Sequence, residues 1–290
     1  MLNPAARTVD VTIASREFSV VQSPGILQSG RQGGTTGAAV WQASLRLAEW
    51  FCWPENPLDV LLEQRNGTAL ELGSGISGIV PCVLAPRLRR FVATDQGYLL
   101  KTLRENIENN KVSMTSSSGL SSKRHASSLK SHIAPSHRPP RRVQNTRSLH
   151  DDNIAVLPLD WETDDVASFM SAHDLAAGVD LLLASDCIYN YALIDAFVQT
   201  CTQICQQRRR QQQQQDHYEP RNVATDPDSE IIFAATVLLV AQQMRQPEVF
   251  EQWLETTMRT FRVWRVPDDL LMEGFRTGTG FALHLAILKD

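Results

Sequence analysis

Apolar positions along the chain fall into two periods. TALEL at 68–72, RRFVATD at 89–95, NIAVLPLDW at 153–161, VDLLLASD at 179–186 and the later part of EIIFAATVLLVAQQ at 230–243 are nearly continuous apolar runs. Such runs predict strands buried on both faces. Between them, AAVWQASLRLAEWF at 38–51, SGIVPCVLA at 77–85, GYLLKTLRENIENN at 97–110, YALIDAFVQTCTQICQQ at 191–207 and PEVFEQWLETTMRTF at 247–261 space their apolar residues as helices do. RVWRVP at 262–267 and GFALHLAILK at 280–289 close the chain as two more strands, joined by a loop too short for a crossover helix. Strand and helix alternate until that final hairpin. The pattern predicts an α/β fold with a mostly parallel sheet, helices on both faces and an antiparallel ending. Seven strands with that ending are not the six-stranded dinucleotide fold.

Two stretches break the pattern. Residues 111–150 hold eight Lys or Arg and no Asp or Glu. Residues 206–230 are Gln-rich and then polar. Neither has enough apolar side chains to repay its ordering entropy, so both read as low-complexity loops inserted into one domain. That domain spans 35–290, behind an N-terminal extension at 1–34.

Composition narrows the function classes. Of the 290 residues, 42% are hydrophobic and 21% charged, which is ordinary for a globular chain. The net charge of −4 does not suggest a dedicated nucleic-acid binder. Direct nucleic-acid contact is left to the basic 111–150 insertion, since removing its eight cations leaves a remainder near −12. Five cysteines without a CxxC pair fit a reducing compartment, cytoplasmic with the nucleus also open. The start of the chain does not resemble a signal peptide, and the longest apolar run, 231–241, is too short to span a bilayer. A monomer without membrane attachment is expected. No Cys or His cluster has metal-ligand spacing.

Candidate chemistry gathers at strand ends, where open α/β sheets bind ligands. The first strand runs into Glu71 and the turn Gly73-Ser74-Gly75, within ELGSGISG. Glycines there let a ligand approach the backbone. The turn alone is a weak signal, with a bare strand-to-helix connection as its alternative. Asp95, 22 residues after Gly73, ends the second strand, where an acid can accept both hydroxyls of a ribose or cap the next helix. A dinucleotide fits this much. Glu71 argues against it, because a carboxylate beside a pyrophosphate is repulsive, whereas beside a cation it helps. S-adenosyl-L-methionine is such a cation and carries no phosphate. Trp161 offers an aromatic wall for adenine, and Trp41 stands in a segment able to fold over a cofactor. Ser185 and Asp186 end the fourth strand, and Tyr189 follows at a substrate entrance. Cys187 lacks a His partner in a matching context, which argues against a Cys-His nucleophile.

Together TGAAVW, ELGSGISG, ATDQ, LPLDW and ASDCIYN resemble the METTL21-like group of seven-strand protein-lysine methyltransferases. The resemblance covers most of 35–290 and extends to fungal members that methylate a large-subunit ribosomal protein. It implies the class I, Rossmann-like seven-stranded sheet and S-adenosyl-L-methionine as cofactor. It implies Trp41, Gly73, Ser74, Gly75, Asp95, Trp161 and Ser185 as cofactor neighbours, with Asp186 and Tyr189 at the target lysine. An enzyme acting on RNA or a small molecule, and a non-catalytic binding module on the same fold, remain alternatives. An RNA amino-methylating enzyme would often carry Asn or Asp, then Pro-Pro-aromatic, where DCIY stands here.

Overall fold

The structure, a computed structural model, describes residues 2–27, 36–59, 62, 67–111, 153–218 and 235–289. The chain opens with a hairpin of β1 (Thr8–Ile13) and β2 (Arg16–Val21). Helix α1 (Gln42–Phe51) follows, then β3 (Thr68–Leu72), α2 (Ile79–Leu84), β4 (Arg90–Asp95), α3 (Leu100–Asn110) and β5 (Ile154–Pro158). The second half holds α4 (Val166–Ala172), β6 (Leu181–Ser185), α5 (Tyr191–Tyr218), β7 (Val237–Gln243), α6 (Pro247–Thr260), β8 (Phe261–Arg265) and β9 (Phe281–Leu288).

Seven strands form one sheet in the order β5-β4-β3-β6-β7-β9-β8. The pairs among β5, β4, β3, β6 and β7 are parallel, and β9 runs antiparallel to both β7 and β8. This is the class I, Rossmann-like methyltransferase sheet. The strand order reverses between β3 and β4 on one side and β6 on the other, which opens a crevice at the carboxyl edge.

Alternation along the buried strands divides the core. Ala69, Phe91, Ala93, Leu181, Leu183, Val237 and Leu239 pack on one face with α1, α2 and α3. Leu70, Leu72, Val92, Leu182, Leu238 and Val240 pack on the other with α4, α5 and α6. Both faces of β3 and β6 are covered, which is why TALEL and LLLAS show no polar alternation.

Some boundaries move. The first helix begins at Gln42 and not at 38, because Trp41 is its extended N-cap and Thr36–Ala38 form a 3-10 turn. Strand β5 ends at Pro158, leaving Leu159, Asp160 and Trp161 in the turn that follows. Helix α4 has no counterpart among the expected elements. The largest departure is the Gln-rich stretch, expected as a loop from 206: α5 continues as helix to Tyr218. Gln and Arg are good helix formers, and the extension is anchored. Arg208 pairs with Asp180 at 2.8 Å, Gln207 donates to the Ala176 carbonyl at 3.0 Å, and Arg209 donates to the Lys289 carbonyl at 2.7 Å. Residues 219–230 and 112–150 lie outside the described residues.

The N-terminal segment is woven into the domain. Leu2 N–H donates to the Val40 carbonyl, Ser23 N–H to the Ala38 carbonyl, and Val40 N–H to the Gln22 side-chain oxygen. Buried Asn106 of α3 bonds both backbone groups of Val21 and also donates to the Ile76 carbonyl. The hairpin thus supports the segment before α1 and the glycine turn together.

Candidate active site

A cavity of about 840 Å³, counted with its open mouth, lies at the carboxyl edge of the sheet. That falls within the ~300–1,000 Å³ usual for small-molecule sites. Nine of the ten residues singled out in the sequence line it: Trp41, Gly73, Ser74, Gly75, Asp95, Trp161, Ser185, Asp186 and Tyr189.

The glycine turn forms the floor. Gly73 and Gly75 have φ of 64° and 61°, a left-handed conformation that favours glycine. A Cβ at Gly73 would stand 2.8 Å from Cys187 Sγ and 3.3 Å from the Trp161 ring. At Gly75 it would stand 3.1 Å from the Gly37 carbonyl. Three chain segments therefore converge on the turn too closely for side chains.

Asp95 is held by its own neighbourhood. Oδ2 accepts from Gly75 N–H and Oδ1 from Gln96 N–H, both at 2.7 Å. Each oxygen keeps a lone pair for a ligand. Burial of the carboxyl pushes its pKa up to about 6, against the two backbone hydrogen bonds that lower it. The Leu159 N–H donates to the Asp95 carbonyl at 3.1 Å, which carries the chain after β5 alongside. Trp161 thereby enters the same cavity as Asp95, its ring edge-on to Phe197 with centroids 5.1 Å apart.

Glu71 is the exception. It is 1% exposed and does not line the cavity. Its side chain lies on the α1–α3 face, since it shares the parity of Ala69. Burial, with Asp95 nearby, pushes its pKa up to about 7, and Oε2 has no hydrogen-bond partner among the described residues. Glu71 lies beside Ser74 and Asp95 beneath the floor and makes no wall.

The opposite end is built by β6 and β7. Asp186 adopts φ of 58°, uncommon outside glycine, and is 6% exposed. Its N–H donates to the Ala241 carbonyl at 2.8 Å, while Oδ1 accepts from Gln242 Nε2 at 3.0 Å. Gln242 also donates to the Ile188 carbonyl and accepts from the Ile188 N–H, so one amide fixes the whole turn after β6. Oδ2 faces Arg245 Nη2 at 2.8 Å. Burial raises the pKa of Asp186 above the usual aspartate value, and Arg245 works against that rise. Cys187 is buried against the Leu72 carbonyl, and its thiol is held well above the ordinary range by burial and the acids around it.

Sequence reading missed several walls. Gly37 and Ala39 belong to TGAAVW, and Gln96 directly follows Asp95, so their motifs were in view. Gln242 does not line the cavity but holds the turn after β6, and in the sequence it is only part of the strand EIIFAATVLLVAQQ. Among the described residues no group of His, Cys, Asp and Glu is arranged to hold a metal ion, and no helix is long and apolar enough to cross a membrane.

The ribosomal lysine N-methyltransferase 5 of Zygosaccharomyces rouxii is 28% identical over 203 residues, 64% of this chain and 60% of that protein. Its Saccharomyces cerevisiae counterpart is 27% identical over 235 residues, 67% of this chain and 63% of that protein. A Schizosaccharomyces pombe protein named diaminohydroxyphosphoribosylamino-pyrimidine deaminase is 33% identical over 113 residues, 39% of this chain and 27% of that protein. The chain thus spans less than two thirds of the length of these relatives. The lysine methyltransferase family profile matches residues 22–132 and 141–217, well over half of the chain, and on that extent the chain belongs to the lysine methyltransferase family.

Proposed function

We propose that this protein methylates a lysine side chain of a protein, with S-adenosyl-L-methionine as donor, and that the acceptor is a large-subunit ribosomal protein. The observation that carries the reading is the two-ended cavity. One end gathers a glycine turn, a ribose-competent acid and an indole; the other holds a buried acid and a tyrosine.

The residues suit the donor. Gly73, Ser74 and Gly75 offer backbone at close approach, Asp95 offers two open lone pairs, and Trp161 offers a ring to a purine. The charged side chains lining the cavity, Asp95, Asp160, Glu162 and Asp186, are all carboxylic acids, with no Lys, Arg or His among the lining residues, which suits a cation and not a phosphate. When bound, the donor supplies a methyl whose C–S bond breaks onto sulfur as the amine lone pair forms the N–C bond, with one amine proton passing to solvent. The chain's part is orientation and electrostatic placement. The attacking lysine must be neutral, against a solution pKa of about 10.4, so the site has to favour loss of its proton. Asp186 serves as hydrogen-bond acceptor for the amine and not as its base, because an uncompensated carboxylate would favour the ammonium. Tyr189 lines the amine's approach.

The ribosomal acceptor is supported by the names of the fungal relatives. A cytoplasmic or nuclear setting is proposed with it, in keeping with the five free cysteines. The test is labelled methyl transfer to ribosomes from cells lacking this protein, read by mass spectrometry. Methyl-lysine in one large-subunit protein is expected. Label removed by nuclease would move the acceptor to RNA.

A further inference from the structure

The corner where β7 ends holds a cation that the reaction above does not use. Arg245 lies two residues beyond β7. Its guanidinium carbon stands 4.4 Å from the centroid of the Trp41 ring, and Nη2 lies 2.8 Å from Asp186 Oδ2. Trp41 and Asp186 both line the cavity, whereas Arg245 does not. The arginine therefore stands behind two walls that reach it from distant parts of the chain, the cap of α1 and the end of β6. The Asp186 side chain is 1% exposed and that of Arg245 36%, so a buried anion is paired with a cation open to one side. Gln242 and the Gln243 N–H complete the cradle around Oδ1.

Charge makes the pairing consequential. Asp186 is faced by Arg245 from the turn after β7, and by Cys187 and Tyr189 from its own segment. Asp95 and Glu71 lie toward the glycine turn, and Asp160 and Glu162 on the wall after β5. These other side chains are all acids, and the chain's N-terminal amine joins Arg245, as a weaker influence, in favouring the charged form of Asp186. An opposite charge within about 4–6 Å moves a pKa by 1–3 units in favour of the charged form. A bare Asp186 would thus hold an arriving lysine as ammonium, which has no lone pair to give.

We propose that Arg245 is a positioning residue for methyl transfer: it clasps Trp41 and Asp186 together and cancels the charge of Asp186. The carboxylate then accepts an N–H of the amine without retaining its proton. This rests on the lysine reading above and assigns a role to a residue that touches neither donor nor amine. Arginine suits it, because one planar group stacks on an indole and pairs with a carboxylate at once.

Two variants test it, Arg245→Met and Arg245→Lys. With labelled donor and ribosomes from cells lacking the protein, Arg245→Met loses about tenfold or more at pH 7, in kcat more than in KM. It regains at least about threefold relative to wild type by pH 9, since an uncompensated carboxylate moves loss of the amine proton to higher pH. Arg245→Lys, which keeps charge, stays within about threefold of wild type. A pH-independent loss, or Arg245→Lys as impaired as Arg245→Met, overturns the charge role. Binding and melting need no acceptor. Arg245→Met weakens S-adenosylhomocysteine about three- to tenfold through the loosened Trp41, and adding it to Asp186→Asn costs little further melting temperature. Wild type that binds S-adenosylhomocysteine but labels no ribosomal protein sinks the acceptor and leaves the clasp to these two measurements. Unchanged affinity in Arg245→Met, with melting losses that simply add, sinks the clasp whatever the acceptor is.

Discussion

Asp95 and Asp186 both end a parallel strand at the same cavity, yet they are held in different ways. Asp95 accepts from Gly75 and Gln96, backbone donors of the adjoining turn and of the next residue. Asp186 depends on the Gln242 side chain, the Gln243 N–H and Arg245, all more than fifty residues away. Backbone donors stay in place under almost any substitution, so in the proposed reading Asp95 is a robust acceptor for the ribose that every donor molecule carries. Two of the three partners of Asp186 are side chains, Gln242 and Arg245, which are individually replaceable, so in the proposed reading the acid at the amine can be retuned by mutation. The proposed cofactor side is thus fixed and the proposed acceptor side adjustable.

The sharpest way to break that contrast is to remove Asp95. Asp95→Ala is expected to weaken S-adenosylhomocysteine about 100-fold by calorimetry, since two charge-assisted hydrogen bonds at ~1.5–3 kcal/mol each are lost. Asp186→Asn should leave that affinity within about threefold and slow methyl transfer roughly 30-fold, as a residue acting on the acceptor would. An equal loss of cofactor affinity in both variants would erase the distinction between the ends.

Acidity provides the next test. The pKa of Asp95 is raised to about 6, so its ionised form, the one with both acceptors, fades as pH falls through that value. S-adenosylhomocysteine affinity should be level above about pH 7 and weaken toward tenfold per unit below pH 6. Asp95→Asn should flatten the profile. The smallest effect belongs to Gln242→Leu, which removes a donor to Asp186 and leaves the Ile188 carbonyl and N–H without their side-chain partner. A loss of about 1–3 kcal/mol in denaturant unfolding is expected, with cofactor affinity unchanged.

Much of the fold was legible because fully buried strands and amphipathic helices differ in period. TALEL, VATD and LLLAS could only be interior strands, and PEVFEQWLETTMRTF only a one-sided helix. The Gln-rich tail of α5 was misread because composition measures the lack of apolar surface, whereas Arg208 is fixed by an ion pair to Asp180. Within the site, Asp95 and the glycines announced themselves through short-range spacing. Glu71 announced itself equally well, yet its side chain is buried beside Ser74 and Asp95 and does not line the cavity.

What the linear chain determined by itself was therefore the set of local objects: a buried strand, a turn that needs left-handed backbone, an acid one strand later. These depend on steric and hydrogen-bonding rules between residues close in sequence. Only the tertiary structure decided that Arg245 reaches Trp41 across some two hundred residues, and that Gln242 serves Asp186. Such pairings arise when sheet order brings β6 beside β7 and lays the segment before α1 across their ends, a geometry that no local spacing encodes.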